Sequence, residues 1–358
     1  MIQKKDGIYY APKSTGQVYK TVREGEFSFS VIGLDHGHIY AMVNGLVEAG
    51  AELKMVYDSD KEKVDRFLLS YPNAVPASSI EEILSDKSIK LVASAIRPDK
   101  RAQLGIRVMK SGLNYFSDKP GMITIEELLE VERVQKETSM KYMIYFGERV
   151  HVEGAVCAER LIKEGKLGKV ISVTILAPHR LNKPTRPEWF FHPEENGSIL
   201  TDIGSHQFEQ LLSYTGSETG EVVYSQEKNF NNPDRPYFSD FGQAVVSLSS
   251  GATGYVRVDW FTPDGLSSWG DGRVFIVGTK ATIEIRKYIN VGVSNMGDNV
   301  FFVDSTGEHV IQAYGKEGFP FFGLFIRDIL DNTEKSITQK HVFESMRLTL
   351  SAHEKAER

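Results

Sequence analysis

The fold is decided by one stretch of sequence, Phe27-Ser28-Phe29-Ser30-Val31-Ile32-Gly33-Leu34-Asp35-His36-Gly37-His38. Its first half alternates apolar and small polar residues before two consecutive apolar ones, a pattern that predicts a buried β-strand. Apolar residues then recur at helical spacing until Gly50: Ile39, Met42, Val43, Leu46 and Val47. The sequence therefore predicts a strand, a glycine turn and a helix, in that order.

The same alternation continues outward from this stretch to about residue 146. Further strands are predicted at 53–57, 90–96, 115–117 and 142–146, and helices at 61–69, 80–84, 100–109 and 125–137. Strands that alternate with helices require right-handed crossovers, which produce a parallel sheet with helices on both faces. We therefore predict that residues 27–147 form a doubly wound α/β domain.

The pattern of predicted strands and helices changes in the second half of the chain. After predicted helices at 152–164 and 203–214 and a strand at 170–176, short alternating runs follow at 221–225, 243–249, 254–260, 273–277, 281–286 and 300–303. Turn signals such as Ser250-Gly251 separate them. We predict an α+β domain over 148–335 with a large, mostly antiparallel, open-faced sheet. Helices near 321–330 and 341–356 close the chain, and residues 336–358 should pack back on the body.

Residues 1–26 are polar and show no sustained period, so we expect an extension laid over the first domain or over a partner subunit. No apolar segment follows Lys4 and Lys5, and no run of about 18 apolar residues occurs anywhere. These features predict a cytoplasmic protein without a membrane partner.

The composition limits the class of protein. At roughly 150 residues per domain, 358 residues predict two domains. Hydrophobic residues make up 41% and charged residues 25%, a balance typical of a folded chain. Lys and Arg total 42 against 48 Asp and Glu, and no basic tract occurs, so we expect no nucleic-acid partner. The single cysteine, Cys157, lies in an apolar context typical of a buried structural residue.

The glycine turn resembles a dinucleotide-binding fingerprint only in part. Gly33 stands at the first glycine position, whereas Asp35 and His38 occupy the other two and Gly37 lies one residue early. The context strengthens the prediction, because the turn follows a strand, opens a helix, and is followed 25 positions after Gly33 by Asp58. A carboxylate there can accept hydrogen bonds from the ribose of NAD and would repel the 2′-phosphate of NADP. We therefore predict a Rossmann domain that binds NAD rather than NADP, with Asp58 as a helix N-cap the alternative.

Three polar side chains in this turn need an explanation. A carboxylate at Asp35 would lie close to a pyrophosphate, so we expect it to form a salt bridge or a cap. His36 and His38 lack a third ligand nearby in sequence, so we expect no metal site. The predicted cofactor contacts from this part of the chain are Gly33, Leu34, Asp35, His36, Gly37, His38 and Asp58.

Two further loops leave predicted strands at the same sheet edge. Ile96-Arg97-Pro98 lies at the end of the strand predicted at 90–96 and Lys119-Pro120 follows the strand predicted at 115–117, and ligands bind beyond the carboxyl ends of such strands. We therefore add these five residues to the cofactor site. In the second domain, Asp202 and His206 are four positions apart, so on a helix they would share one face.

Together these motifs resemble one family. The glycine turn with Asp58, the Asp118-Lys119-Pro120 tripeptide and the later Gly-x-x-x-x-Asp-x-Gly-x-His from Gly197 to His206 resemble the glucose-fructose oxidoreductase / inositol dehydrogenase / MocA (Gfo/Idh/MocA) family over roughly residues 27–335. The sequence departs from the family pattern in the glycine turn, at Asp118, where Glu is common, and at Glu209, where Asp is common.

The resemblance implies a nicotinamide on the first domain and a sugar or cyclitol between the two domains. Lys119 would then hydrogen-bond the reacting hydroxyl, His206 would act as general base, and Asp202 would orient and polarise the substrate. Such chemistry is reasonable, because oxidation of an alcohol removes a hydride from carbon and a proton from oxygen. Each residue taken singly also has an ordinary structural explanation. Lys119 could be a solvated loop lysine, Asp202 a helix N-cap and His206 a core histidine.

Three functions are compatible with these residues. The leading hypothesis is an NAD-dependent oxidoreductase acting on a secondary alcohol of a sugar, inositol or related polyol. The irregular turn favours a second one, a cofactor-binding sensor or regulator without turnover. The third is NAD-assisted sugar chemistry with no net oxidation.

Other residues are weaker candidates for the cleft, namely Arg149, His179, Glu209 and Gln210. Aromatic groups at 189–191, 260–261 and 319–322 are more typical of core packing or a subunit interface than of sugar stacking. An open-faced sheet needs a cover, so we expect a homodimer or homotetramer.

Overall fold

The computed structural model describes residues 6–358, whose strands form two sheets. The first sheet has six parallel strands in the order β3-β2-β1-β4-β5-β6. These strands are β1 (Ser28–Ile32), β2 (Glu52–Tyr57), β3 (Val75–Pro76), β4 (Leu91–Ser94), β5 (Asn114–Ser117) and β6 (Tyr142–Ile144). The strand order reverses between β1 and β4, which is where a doubly wound sheet forms its ligand crevice.

Helices connect these strands as the alternation predicts. They are α1 (His38–Glu48), α2 (Lys61–Ser70), α3 (Ile80–Ser85), α4 (Pro98–Lys110) and α5 (Ile125–Thr138). The predicted doubly wound α/β domain is confirmed. The predicted start of α4 at residue 100 is two residues late, because Pro98 takes the first helical turn, where no backbone N–H is needed.

The second sheet has eight strands and is antiparallel except for one parallel pair, β7 with β10. Its order is β14-β13-β12-β11-β7-β10-β9-β8. The strands are β7 (Val170–Pro178), β8 (Gly220–Lys228), β9 (Phe241–Leu248), β10 (Thr253–Asp259), β11 (Arg273–Gly278), β12 (Thr282–Arg286), β13 (Asn299–Asp304) and β14 (Gly307–Gln312). The predicted α+β half is confirmed; β14 was not predicted, since its residues 308–310 are all exposed and carry no burial pattern.

The remaining helices are α6 (Gly147–Val150), α7 (Glu153–Lys163), α8 (Pro193–Asn196), α9 (Ile199–Asp202), α10 (Gly204–Thr215), α11 (Pro320–Asp331) and α12 (Gln339–Glu354). Short 3₁₀ turns lie at Gly7–Tyr9, Lys183–Thr185 and Glu188–Phe191. The helix predicted at 203–214 corresponds to α10, whereas the short α9 that precedes it was not predicted. Ser198 caps α9 by accepting a hydrogen bond from the Thr201 amide.

Two apolar cores lie under the two sheets. The first includes aromatic residues of α11, so that Phe321, Phe322 and Phe325 pack around Phe116 of β5. Helix α12 contributes to both cores through Phe343 and through Leu348, respectively. The predicted boundaries at 26, 147 and 335 stay predictions.

The N-terminal extension contacts both domains through residues that the structure describes, while its residues 1–5 lie outside the described part of the chain. The ring of Tyr9 is near that of Tyr40 in α1, whereas Tyr10 packs edge-on against Tyr288 and beside Trp269 of the second domain. In residues 6–358, no helix has the length and apolar character that a membrane crossing requires.

Candidate active site

The loop between β1 and α1 makes close contacts at the carboxyl edge of the first sheet. Gly33 has a φ of 86°, and a Cβ on it would lie 2.6 Å from the Cβ of Ile96. The next amide, Leu34 N–H, donates to Asp58 Oδ2 at 2.7 Å. Four of the predicted cofactor contacts therefore meet at one point, even though two of the three fingerprint glycines are missing.

Asp58 is not the N-cap of the following helix. Asp60 caps α2 instead, since its side chain accepts from the amides of Glu62 and Lys63. The other oxygen of Asp58 accepts from the Asp60 amide at 2.8 Å. The capping alternative for Asp58 is therefore wrong, and its carboxylate lies beside the glycine turn.

Asp35 forms the salt bridge expected of it. One carboxylate oxygen lies 2.5 Å from Lys63 Nζ, and the other accepts from the Arg97 amide at 2.8 Å. The lysine compensates the charge that a carboxylate brings to an anion-binding turn. The departure from the fingerprint at this position therefore stabilises the turn by joining it to α2 and to the loop after β4.

A buried carboxylate, Asp118, connects the loops at this edge. One oxygen lies 2.8 Å from His38 Nδ1 and accepts from the Lys119 amide at 2.8 Å. The other accepts from Arg101 Nη2 at 3.0 Å and lies 3.3 Å from His36 Nδ1. Burial alone opposes ionisation, but these neighbours together hold the pKa of Asp118 well below its usual value.

His36, His38 and Asp118 also bring potential metal ligands together, with donor atoms within 4.8 Å of one another. A cation there would share the carboxylate with the guanidinium of Arg101, which repels it. Burial lowers the pKa of His36 well below its usual value, so its ring is neutral. The prediction that this site holds no metal stays a prediction.

The predicted catalytic residues come together in one cavity between the domains. Lys119 Nζ, on the loop after β5, lies 2.6 Å from Asp202 Oδ1 at the end of α9. Both side chains are less than a tenth exposed. His206, in the first turn of α10, lines the same cavity, and its Nδ1 is buried without a hydrogen-bond partner in residues 6–358. A buried ring nitrogen without a partner is suited to a ligand hydroxyl.

The electrostatic environment keeps His206 neutral. Burial is the largest cause that lowers its pKa well below 6.5; the carboxylate of Glu148 opposes this, and Lys119 and His38 add to it. His206 is therefore in its proton-accepting form at neutral pH, although it is a weaker base than a solvated histidine.

The cavity contains more titratable residues than the sequence analysis identified. Besides His206, four histidines line it: His36, His38, His151 and His179. Burial lowers the pKa of His179 to about 4 and that of His151 to about 3. Glu148 could have been found from the sequence, because it follows β6 as Lys119 follows β5. Its carboxylate pairs with Lys287 Nζ at 2.9 Å.

The N-terminal extension closes one side of this cavity. Gly7, Ile8 and Tyr10 line it together with Trp269 and Tyr288, residues for which no sequence pattern indicates a site. A Cβ on Gly37 would lie 2.4 Å from the carbonyl oxygen of Ile8. The face of the glycine turn at Gly37 is therefore covered by residues 8–9.

Comparison with known proteins identifies both halves. Residues 27–146 match the model described as "Oxidoreductase family, NAD-binding Rossmann fold", and residues 156–284 match the "GFO/IDH/MocA C-terminal domain". A solved structure of a candidate oxidoreductase from Erwinia carotovora atroseptica SCRI1043 is 41% identical, with a TM-score of 0.90 over 93% of this chain and 99% of that one. The chain belongs to the Gfo/Idh/MocA oxidoreductase family. Its first domain is accordingly an NAD-binding domain.

Curated members of this family are more distant. The scyllo-inositol 2-dehydrogenase (NAD(+)) of Bacillus subtilis (strain 168) is 25% identical over 73% of this chain and 74% of its own length. An uncharacterized oxidoreductase of Schizosaccharomyces pombe and the D-xylose dehydrogenase of Paenarthrobacter nicotinovorans match at 26% and 23% identity, over 41% and 36% of this chain. The chain spans only 40% and 34% of the lengths of these two relatives.

Three of the weaker candidates do not line the cavity. Glu209, one of the departures from the family pattern, is fully buried and pairs with Arg149 and with His341. Gln210 accepts from Lys287 Nζ at 2.8 Å and donates to the His206 carbonyl at 2.9 Å. These side chains support α10 from behind, whereas His179 does line the cavity.

We predict that Asp118→Asn destabilises the protein because it leaves the buried guanidinium of Arg101 without its counter-charge. Loss of one partner of a buried pair costs about 3–5 kcal/mol. The measurement is chemical denaturation at neutral pH, with Asp65→Asn, on the exposed face of α2, as the matched control. Equal stability of the two variants would show that the pair contributes nothing.

Proposed function

We propose that the protein is an NAD-dependent oxidoreductase that acts on a secondary alcohol of a sugar, inositol or related polyol. The observation that carries this proposal is the meeting of Lys119, Asp202 and His206 in one buried cavity at the carboxyl edge of the NAD-binding domain. The named dehydrogenases among its relatives support the substrate class.

The described residues fit a dinucleotide. Gly33 has no side chain, which lets the turn lie close to Ile96. Asp58 stands at the end of β2, where a ribose would lie. The residues proposed to hold the cofactor are those predicted above: Gly33, Leu34, Asp35, His36, Gly37, His38, Asp58, Ile96, Arg97, Pro98, Lys119 and Pro120. Since residues 8–9 cover Gly37, we propose that they move when the pyrophosphate binds.

Three side chains would each perform a different part of the reaction. Lys119 donates a hydrogen bond to the reacting oxygen and stabilises the negative charge that develops there. His206 accepts the hydroxyl proton on an imidazole nitrogen. Asp202 holds the ammonium of Lys119 in place through their 2.6 Å contact. When bound, NAD supplies the acceptor for the hydride that leaves carbon.

The contacts made by Asp35 favour the hypothesis of an oxidoreductase over that of a cofactor-binding sensor or regulator. The irregular glycine turn was the reason to consider a protein without turnover. That reason is weakened because the charge of the Asp35 carboxylate in the turn is neutralised by Lys63. A polar set placed for proton transfer has no use in a protein that only binds the cofactor.

We also propose a homodimer or homotetramer. The outer face of the second sheet exposes apolar side chains: Ile171, Val223, Val277, Val303 and Val310. Such a face is commonly covered by a second copy of the chain. Light scattering coupled to size exclusion should give at least twice the monomer mass of 40.2 kDa. A monomer at micromolar concentration would contradict this.

We predict that His206→Ala lowers turnover by about 10²-fold or more, the usual contribution of a general base. NAD binding should be nearly unchanged, because His206 lies on the second domain. Steady-state NADH formation and a separate NAD titration measure the two effects. Near-normal turnover would remove His206 from the mechanism.

The pH dependence should follow from the lowered pKa of His206. The base must be neutral to accept a proton, so activity is lost only as pH falls through that lowered pKa. We expect kcat/KM to be constant around neutral pH and to decline only well below pH 6.5. An acid limb centred above 6.5 would contradict a buried neutral histidine.

We predict that Asp58→Ala weakens NAD binding and reduces the preference for NAD over NADP, because it removes the carboxylate that excludes a 2′-phosphate. Dissociation constants for both nucleotides test this. Asp60→Ala, which removes the cap of α2 two residues away, is the control for a general effect on this loop. If selectivity is unchanged in Asp58→Ala, the carboxylate serves only to hold the Leu34 amide.

A further inference from the structure

The cavity contains an arginine that the proposed chemistry does not use. The guanidinium of Arg186 lines the same cavity as Lys119 and Asp202. Its central carbon lies 4.4 Å from the ring centre of Phe190 and 5.0 Å from that of Trp260. The two aromatic rings hold the guanidinium against the second-domain wall.

Arg186 is held by neutral groups only. Its Nε donates to the Leu181 carbonyl at 2.8 Å, and Nη2 is 3.5 Å from the Arg180 carbonyl. In residues 6–358, no carboxylate oxygen lies within 4.0 Å of this guanidinium, the range of the ion pairs found elsewhere in the structure. The guanidinium therefore forms no direct ion pair in the described part of the chain.

The other two Lys or Arg side chains that line the cavity, Lys119 and Arg180, each have a carboxylate partner. Lys119 Nζ lies 2.6 Å from Asp202 Oδ1, and Arg180 Nε lies 3.5 Å from Asp264 Oδ1. Among the three cations, Arg186 is therefore the one without a carboxylate partner in residues 6–358.

Burial makes this charge costly. It lowers the pKa of Arg186 to about 10, although the charges of Asp202 and Asp6 act in the opposite direction. A buried cation is normally paired, and a guanidinium offers parallel N–H donors that match two anionic oxygens. The contacts of Arg186 leave Nη1 available for such a ligand.

We propose that Arg186 binds an anionic group of the substrate, a carboxylate or a phosphate, so that the preferred substrate is an acidic rather than a neutral sugar. This inference rests on the proposed function and names the substrate class of the same cavity. The anionic group lies at Trp260, while the reacting hydroxyl lies at Lys119 and His206.

The test compares matched ligands on the full chain. Isothermal titration in the presence of NAD uses D-glucuronate, D-glucose 6-phosphate and D-glucose as probes. We expect one of the two anions to bind at least about 10-fold more tightly than D-glucose, and the anion that does so identifies the group. Wild-type protein that binds neither anion more tightly than D-glucose overturns the inference.

Variants then assign the effect to Arg186. Arg186→Gln should weaken binding of the preferred anion by about 10- to 100-fold and leave D-glucose binding unchanged, whereas Arg186→Lys should restore part of it. Arg235→Gln is the matched control, because Arg235 also packs on a ring of this aromatic group, 4.7 Å from the centre of Phe191, but is paired with Glu188. An equal loss in the control, or a loss of NAD affinity alone in Arg186→Gln, overturns the inference.

Measured NADH formation separates this inference from the proposed function. If D-glucose binds and is oxidised as well as its acidic counterparts, the oxidoreductase stands and the role of Arg186 is wrong. If an anion binds through Arg186 but no probe yields NADH, the anion site stands, and the proposed oxidation is what lacks support.

Discussion

The carboxylate of Asp118 is the contact on which the site geometry depends. It contacts His38 at the start of α1 and Arg101 of α4, and it accepts from the Lys119 amide after β5. Arg101 in turn donates to the carbonyls of Ile96 and Pro120. Three loops are therefore fixed relative to one another by one charge pair that is shielded from water, where its interaction is strong.

The contact between Lys119 and Asp202 extends this arrangement across the domain boundary. It places a first-domain cation beside the start of α10, and the ring centre of His206 lies 6.4 Å from that of His38. Behind α10, the pairs of Lys287 with Glu148 and of Arg149 with Glu209 fill the polar interior with compensated charges. The cavity combines groups for proton transfer with one cation, Arg186, that has no carboxylate partner in residues 6–358.

Much of the site could be predicted because its residues follow strands. Gly33, Asp58 and Lys119 all stand where a parallel strand ends, and the hydrophobic periodicity of the sequence is enough to locate those ends. The partner of Asp35 could not be identified, since the contact with Lys63 depends on how α2 packs. Tyr10, Trp269 and Tyr288 lie in irregular segments that reach the cavity only through the tertiary fold. Helix α9 was also missed, because a single turn of four residues is too short to show a helical period.

The proposed reaction requires that this irregular glycine turn still binds NAD beside the Lys119–Asp202–His206 set. Calorimetric titration of the protein, freed of retained nucleotide, with NAD and separately with NADP tests it most directly. We expect NAD to bind in the micromolar range and NADP to bind more weakly. Absence of binding for both nucleotides would contradict it, and would mean that Asp35, His38 and the covering residues 8–9 have closed the cofactor site.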